Sequence, residues 1–238
     1  MKAILRTKTQ EVSPKKVLLI SLLVLLGINF TGGYITHTYF SESILKVQGP
    51  GFWFALGTLS LITTIVLWNK KILGWSWSDL GLGKPRNWWQ PLLVAAGFYG
   101  MATLFMKYAA PYIIELGGRP DIAHLRDIPG NLPMLITGLL MVWITAAFLE
   151  EFIFRAYLIN VLDKLFGSTK LSAAAAVLIS SIIFGLLHAY QGLTGILLTG
   201  SLGLLAGIFY LLNGRRIWPL ILIHGLIDTI AFINIYNM

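Results

Sequence analysis

The stretch MLITGLLMVWITAAFLEEFIFR, residues 134–155, sets two adjacent carboxylates at the end of an unbroken apolar run. Residues 134–149 carry no charge and read as the body of a membrane-spanning helix. A charge held deep in a bilayer costs on the order of 2.5–3.5 kcal/mol. Glu150, Glu151 and Arg155 are therefore a candidate functional site on cost alone. Helical geometry sorts them. Glu151 and Arg155 are four apart, share a face and can pair. Glu150 points about 100° away from Glu151, at ~3.6 residues per turn. One carboxylate is expected to brace Arg155, and the other, Glu150, to be available.

Outward from this stretch the chain has the same character. Of its residues 56% are hydrophobic and 12% charged, against about 25% charged in a soluble domain. The expected fold class is all-α: a polytopic transmembrane helix bundle with spans near 17–39, 52–68, 91–110, 132–166, 171–190, 192–212 and 218–237. That is seven spans, or eight if a re-entrant segment is added. The expected organisation is a cytoplasmic segment 1–16, N-terminal spans and loops 17–129, and a catalytic core 130–238 in helices four to seven. Short connections predict that these four pack as sequential antiparallel neighbours. Ser168 or Thr169 is a candidate N-cap for the fifth helix. Gly192, Gly195, Gly200, Gly203 and Gly207 let the sixth approach a neighbour closely.

The net charge of +8 sits in the loops, which argues against nucleic acid and for a lipid bilayer as the partner. Alternate connections (1–16, 69–90, 155–170, 213–216) hold 14 of the 18 lysines and arginines. The positive-inside rule then puts the N-terminus in the cytoplasm. The chain is expected in a plasma membrane of bacterial type. Trp75, Trp77, Trp88 and Trp89 read as interfacial anchors. There is no cysteine, so disulfides and thiol catalysis are excluded.

Three more ionisable residues fall inside apolar helices. His188 shares a face with Phe184, and His224 with Asp228. Glu150 lies 18 residues before Ser168 and His188 lies 20 after it. At ~1.5 Å per residue both stand ~27–30 Å from the turn. With a cytoplasmic boundary near Arg155, the hairpin would project into the cytosol and all four groups would meet at a shallow, cytoplasm-facing level. A carboxylate and a histidine at one level can hold and deprotonate a water, while a second histidine with a polar neighbour can bind an oxyanion. The same set could ligate zinc with an open position. His37 and His124 read as solvated or interfacial residues.

The three blocks EExxxR (150–155), FxxxH (184–188) and HxxxD (224–228) resemble, in order and spacing, those of the CPBP family of CAAX proteases and bacteriocin-processing enzymes, also called Abi. These are intramembrane peptidases related to the eukaryotic Ras-converting CAAX endopeptidase. The resemblance covers about residues 130–235, with a weaker echo in Asp79-Leu-Gly-Leu82. It implies a glutamate-type endopeptidase cutting a peptide or membrane-tethered substrate near the cytoplasmic surface. Glu150 would be the general base and His188 would help hold the water, while His224 and Asp228 would stabilise the oxyanion. Glu151, Arg155 and Phe184 would be structural supports. No cofactor is implied; zinc is the alternative. Asp228 departs from the commoner Asn and is expected either to stay protonated and donate to the oxyanion or, the favoured role, to accept from one nitrogen of His224. A non-catalytic scaffold or immunity protein of the same fold is the alternative function, and a proton-coupled transporter a third.

Overall fold

Each long apolar stretch becomes a helix because a bilayer offers backbone N–H and C=O groups no partner but one another. The computed structural model describes residues 14–40, 46, 49–85 and 87–238. Most of the expected cytoplasmic segment 1–16 lies outside the described residues. The helices are α1 (Pro14–Phe40), α2 (Pro50–Ile72), α3 (Trp89–Tyr108), α4 (Ala110–Gly117), α5 (Leu132–Val142), a π-helical segment (Trp143–Ile159), α6 (Asn160–Phe166), α7 (Lys170–Leu187), α8 (Gly192–Leu212) and α9 (Trp218–Tyr236). Residues 132–166 form one continuous helix, and among the described residues seven helical stretches are long and apolar enough to cross a membrane. The chain is an integral membrane protein.

Two local features differ from the sequence reading. The third span ends at Tyr108, short of the expected 110, and Pro111 sits in the first turn of α4, where its missing N–H costs no hydrogen bond. The fourth span changes from α to π winding at Trp143 and keeps it to Ile159. Such winding usually appears as single turns, frequently at functional sites. Here it carries both glutamates and Arg155.

The α6–α7 hairpin turns at Gly167, whose φ of 107° suits glycine. Thr169 caps α7 in a capping box with Ser172, and the Ser172 hydroxyl donates to Asp163 at 2.7 Å. Helices in lipid gain little from the hydrophobic effect, so close packing and interhelical hydrogen bonds hold them. In α7 and α8, Gly185 faces the Ile196 carbonyl and Gly200, and Gly207 faces Val177. The helix after them breaks the expected order. α9 packs on the fourth span and α3, and barely touches α8. Gly225 fits against the Trp143 ring and Gly138 against Phe232, while Trp143 donates to Thr229 at 3.1 Å.

One end of the bundle gathers the basic connections and is tied by a polar network. Asn160 donates to the Asp79 carbonyl at 2.9 Å and to the Tyr210 hydroxyl at 2.9 Å. Arg215 donates to Asn160 and, at 2.7 Å, to Asp163. The Ile217 N–H donates to the Gly81 carbonyl at 3.1 Å, so the 79–82 segment clasps the ends of two helices. The Ser76 hydroxyl and N–H hold the Asp79 carboxyl below its ordinary pKa.

This packing corrects the expected depth. Every residue from 151 to 163 is buried, against Leu18, Leu22, Leu25, Val66 and Trp75. Asn69 of α2 donates to Tyr157 at 2.8 Å. The hairpin therefore belongs to the bundle and does not project from it. Trp75 is buried with Lys164 over its ring, and so is a core residue; Trp77, Trp88 and Trp89 are exposed.

A Cβ at position 225 would stand 2.6 Å from the Trp143 ring. Gly225→Val should therefore push α9 off the fourth span and lower the thermal unfolding midpoint in detergent, whereas Gly57→Val, with nothing near its Cβ position, should leave it close to wild type.

Candidate active site

The π segment presents its acids in unlike settings. The Glu151 side chain is 2% exposed and that of Glu150 27%. Glu151 Oε1 lies 3.3 Å from Arg155 Nη1, the pairing expected from their spacing. Arg155 also stacks on the Phe184 ring, 4.4 Å from its centroid. The same Oε1 accepts from His224 Nδ1 at 2.9 Å. Glu151 thus joins the fourth span to α9 as well as bracing Arg155.

That bond corrects the expected partner of His224. The acceptor fixing its ring is Glu151, because the close approach of α9 at Gly225 carries Nδ1 onto the buried carboxylate. Nε2 turns the other way, 3.5 Å from Asp228 Oδ2 and 4.0 Å from Glu150 Oε2. Neither distance is a hydrogen bond here. His188 stands at the C-terminus of α7, and its Nδ1 donates to the Phe184 carbonyl at 2.9 Å. This leaves Nε2 with its lone pair. Phe184 also packs edge-on against His188, 4.9 Å between centroids.

Glu150 and His188 line one cavity of about 420 Å³. His224 and Asp228 flank Glu150 but are not among its walls. Asn29, Gly32 and Thr36 of α1 and Thr58 of α2 form the opposite wall. Toward the mouth the lining passes to His37, Asp121, His124, Arg126 and Tyr190. Tyr190 stacks with His188 at 5.8 Å and meets both His37 and His124 edge-on, at 5.2 and 5.4 Å. Burial holds the His124 imidazole below its ordinary pKa. The sequence reading did not group these three rim residues, taking His37 and His124 as solvated or interfacial. A signal existed: the connection holding His124 is longer than bundle helices need.

The cavity also lies at the other end of the bundle from the expected one. Its mouth is built from the C-terminal end of α1 and residues 121–126, both opposite the basic connections. Arg155 marks no boundary, because residues 156–163, expected in a projecting hairpin, are buried in the bundle.

As a zinc site the set does not fit: Glu151 Oε1 is shared between His224 and Arg155, and among the described residues no three His, Asp or Glu side chains converge in metal-binding geometry. What remains is a partly exposed carboxylate and an imidazole lone pair on one cavity, with a second imidazole 4.0 Å from the carboxylate.

Residues 132–230 match the family model for type II CAAX prenyl endopeptidase, Rce1-like. This part of the chain is thus similar to an Rce1-like domain. It contains Glu150, Glu151, Arg155, Phe184, His188, His224 and Asp228, so the likeness to a CAAX-protease family covers these residues. No curated protein and no solved structure matches the chain. The α1–α2 wall of the cavity and the rim residues His37 and His124 lie outside residues 132–230.

Removing one member of a buried ion pair leaves the other uncompensated, at a cost of about 3–5 kcal/mol. Glu151→Ala should therefore cost about that much stability in detergent unfolding, stranding Arg155 and freeing His224. Glu150→Gln should unfold within about 1 kcal/mol of wild type, because a polar, partly exposed side chain replaces another of its size.

Proposed function

We propose that the protein is an intramembrane endopeptidase of the glutamate type, in which Glu150 activates water. The observation that carries the reading is the division of labour between the acids: Glu151 is spent on Arg155 and His224, whereas Glu150 faces the cavity that His188 also lines. A water between Glu150 and His188 Nε2 donates one hydrogen to each. Glu150 takes a proton as the water oxygen attacks a peptide carbonyl. The same carboxyl then returns that proton to the departing amine.

The tetrahedral oxyanion needs donors. His224 supplies one from Nε2 when its ring is doubly protonated, with Nδ1–H held by Glu151. Asp228, beside Nε2, positions that edge of the ring, or donates to the oxyanion itself when protonated. An Asn can fill this position through either end of its amide. Each step uses side chains alone, so this reading calls for no metal.

The test compares membrane peptides from a deletion strain carrying wild type, Glu150→Gln or Asp228→Asn. Products should disappear with Glu150→Gln, at wild-type levels of folded protein, and persist with Asp228→Asn. Wild-type activity should also survive exhaustive chelation. A Glu150→Gln protein that restores both products and phenotype would instead favour a non-catalytic scaffold. Loss on chelation, reversed by stoichiometric zinc, would favour a metalloprotease.

A further inference from the structure

The charge distribution and the position of the cavity bear on which compartment supplies the substrate. Nine lysines and arginines among the described residues stand at the bundle end formed by the start of α1, the α2–α3 connection, the α6–α7 hairpin and the α8–α9 turn. Lys2, Arg6 and Lys8 precede α1 at that same end of the sequence. Four stand at the other end, Lys46, Lys107, Arg119 and Arg126. Lys46 there pairs with Asp127 at 3.1 Å, which reduces the weight of that side further. Arg155, counted with the basic side in the sequence, is buried against Glu151 and drops out of the comparison without changing its sign.

Lysine and arginine in short connections are retained in the cytoplasm. The cavity runs the other way. Asn29 and Phe154 line it in mid-helix, and His37, Asp121 and Arg126 line it near the C-terminal end of α1 and in the α4–α5 connection. Asp121 and Arg126 are exposed, so the mouth is open at the end that holds few basic residues. At the basic end the residues 156–163 and the Asn160–Arg215–Asp163 network close the bundle below Glu150.

We propose that the cavity opens to the non-cytoplasmic side and that its substrates are peptide segments lying on that side, next to the membrane. The inference rests on the peptidase reading above for the word substrate, and on charge and geometry alone for the side. It separates this protein from an enzyme that trims the cytoplasmic tails of tethered proteins. The class of chain it fits is a secreted or membrane-anchored peptide that has already crossed the bilayer.

The absence of native cysteine makes the side directly measurable. Asp121→Cys at the mouth and Ser78→Cys at the basic end are each treated in intact cells with a membrane-impermeant maleimide, alongside permeabilised controls. In parallel, Glu150-dependent products are mapped to the known topology of the proteins they derive from. Asp121→Cys should label in intact cells and Ser78→Cys only after permeabilisation, and the cut sites should fall in non-cytoplasmic segments. Labelling of Ser78→Cys in intact cells with Asp121→Cys protected would overturn the proposal, as would cut sites confined to cytoplasmic segments. Outside labelling of Asp121→Cys with no Glu150-dependent product would remove the peptidase reading, and the substrate class with it, while leaving the labelled side as measured. Should Asp121→Cys fail to accumulate, Glu115→Cys on exposed α4 reports the same side.

Discussion

One buried oxygen organises the centre of this protein. Glu151 Oε1 meets Arg155 of its own helix and His224 of α9 at 3.3 and 2.9 Å, where solvent does not compete. A lone carboxylate at this depth would be costly, so the pairings give the fourth span one tolerable rotation about its axis. That rotation turns Glu150 toward the cavity. It also fixes which nitrogen of His224 is engaged and which faces Glu150 and Asp228. The acid that does the proposed chemistry is free because its neighbour is not.

The rest of the fold serves this arrangement by bringing α9 close. Gly225 and Gly138 let the ring faces of Trp143 and Phe232 sit against opposing backbone, and the 79–82 segment clamps Asn160 and Ile217 at the basic end. The region similar to an Rce1-like domain supplies every side chain in the proposed chemistry. It does not enclose the space in which that chemistry would occur. α1 and α2, which cross where Gly32 meets Thr58, provide the facing wall, so the N-terminal helices complete the cavity.

Much of this was legible in the sequence because membranes make simple demands. Spans follow from uninterrupted apolar length, and the sixth matched its observed bounds because glycine and asparagine punctuate both ends. The Glu151–Arg155 pair follows from i,i+4 spacing, which the π winding leaves intact. Long-range packing was not legible. Nothing local in His224-Gly-Leu-Ile-Asp228 says that Nδ1 faces Glu151, since that depends on which helix α9 contacts, and α9 skips its sequence neighbour. The position of the cavity mouth failed for a related reason. Arg155 looks like a boundary residue in one dimension, and only the burial of residues 156–163 shows the bundle continuing past it. Trp75 was misread likewise, as an aromatic near a charged loop that in three dimensions is covered by Lys164 and Tyr157.

The central claim is that Glu151 holds His224 and thereby leaves Glu150 free. The most direct measurement is the nitrogen-15 and imidazole-proton NMR spectrum of His224 in wild type, Glu150→Gln and Glu151→Gln protein, assigned by comparison with His188→Gln and His224→Gln. The account predicts a strongly hydrogen-bonded Nδ1–H in wild type that persists in Glu150→Gln and is lost or weakened in Glu151→Gln. An Nδ1–H signal indifferent to Glu151→Gln but displaced by Glu150→Gln would contradict it and exchange the roles of the two acids.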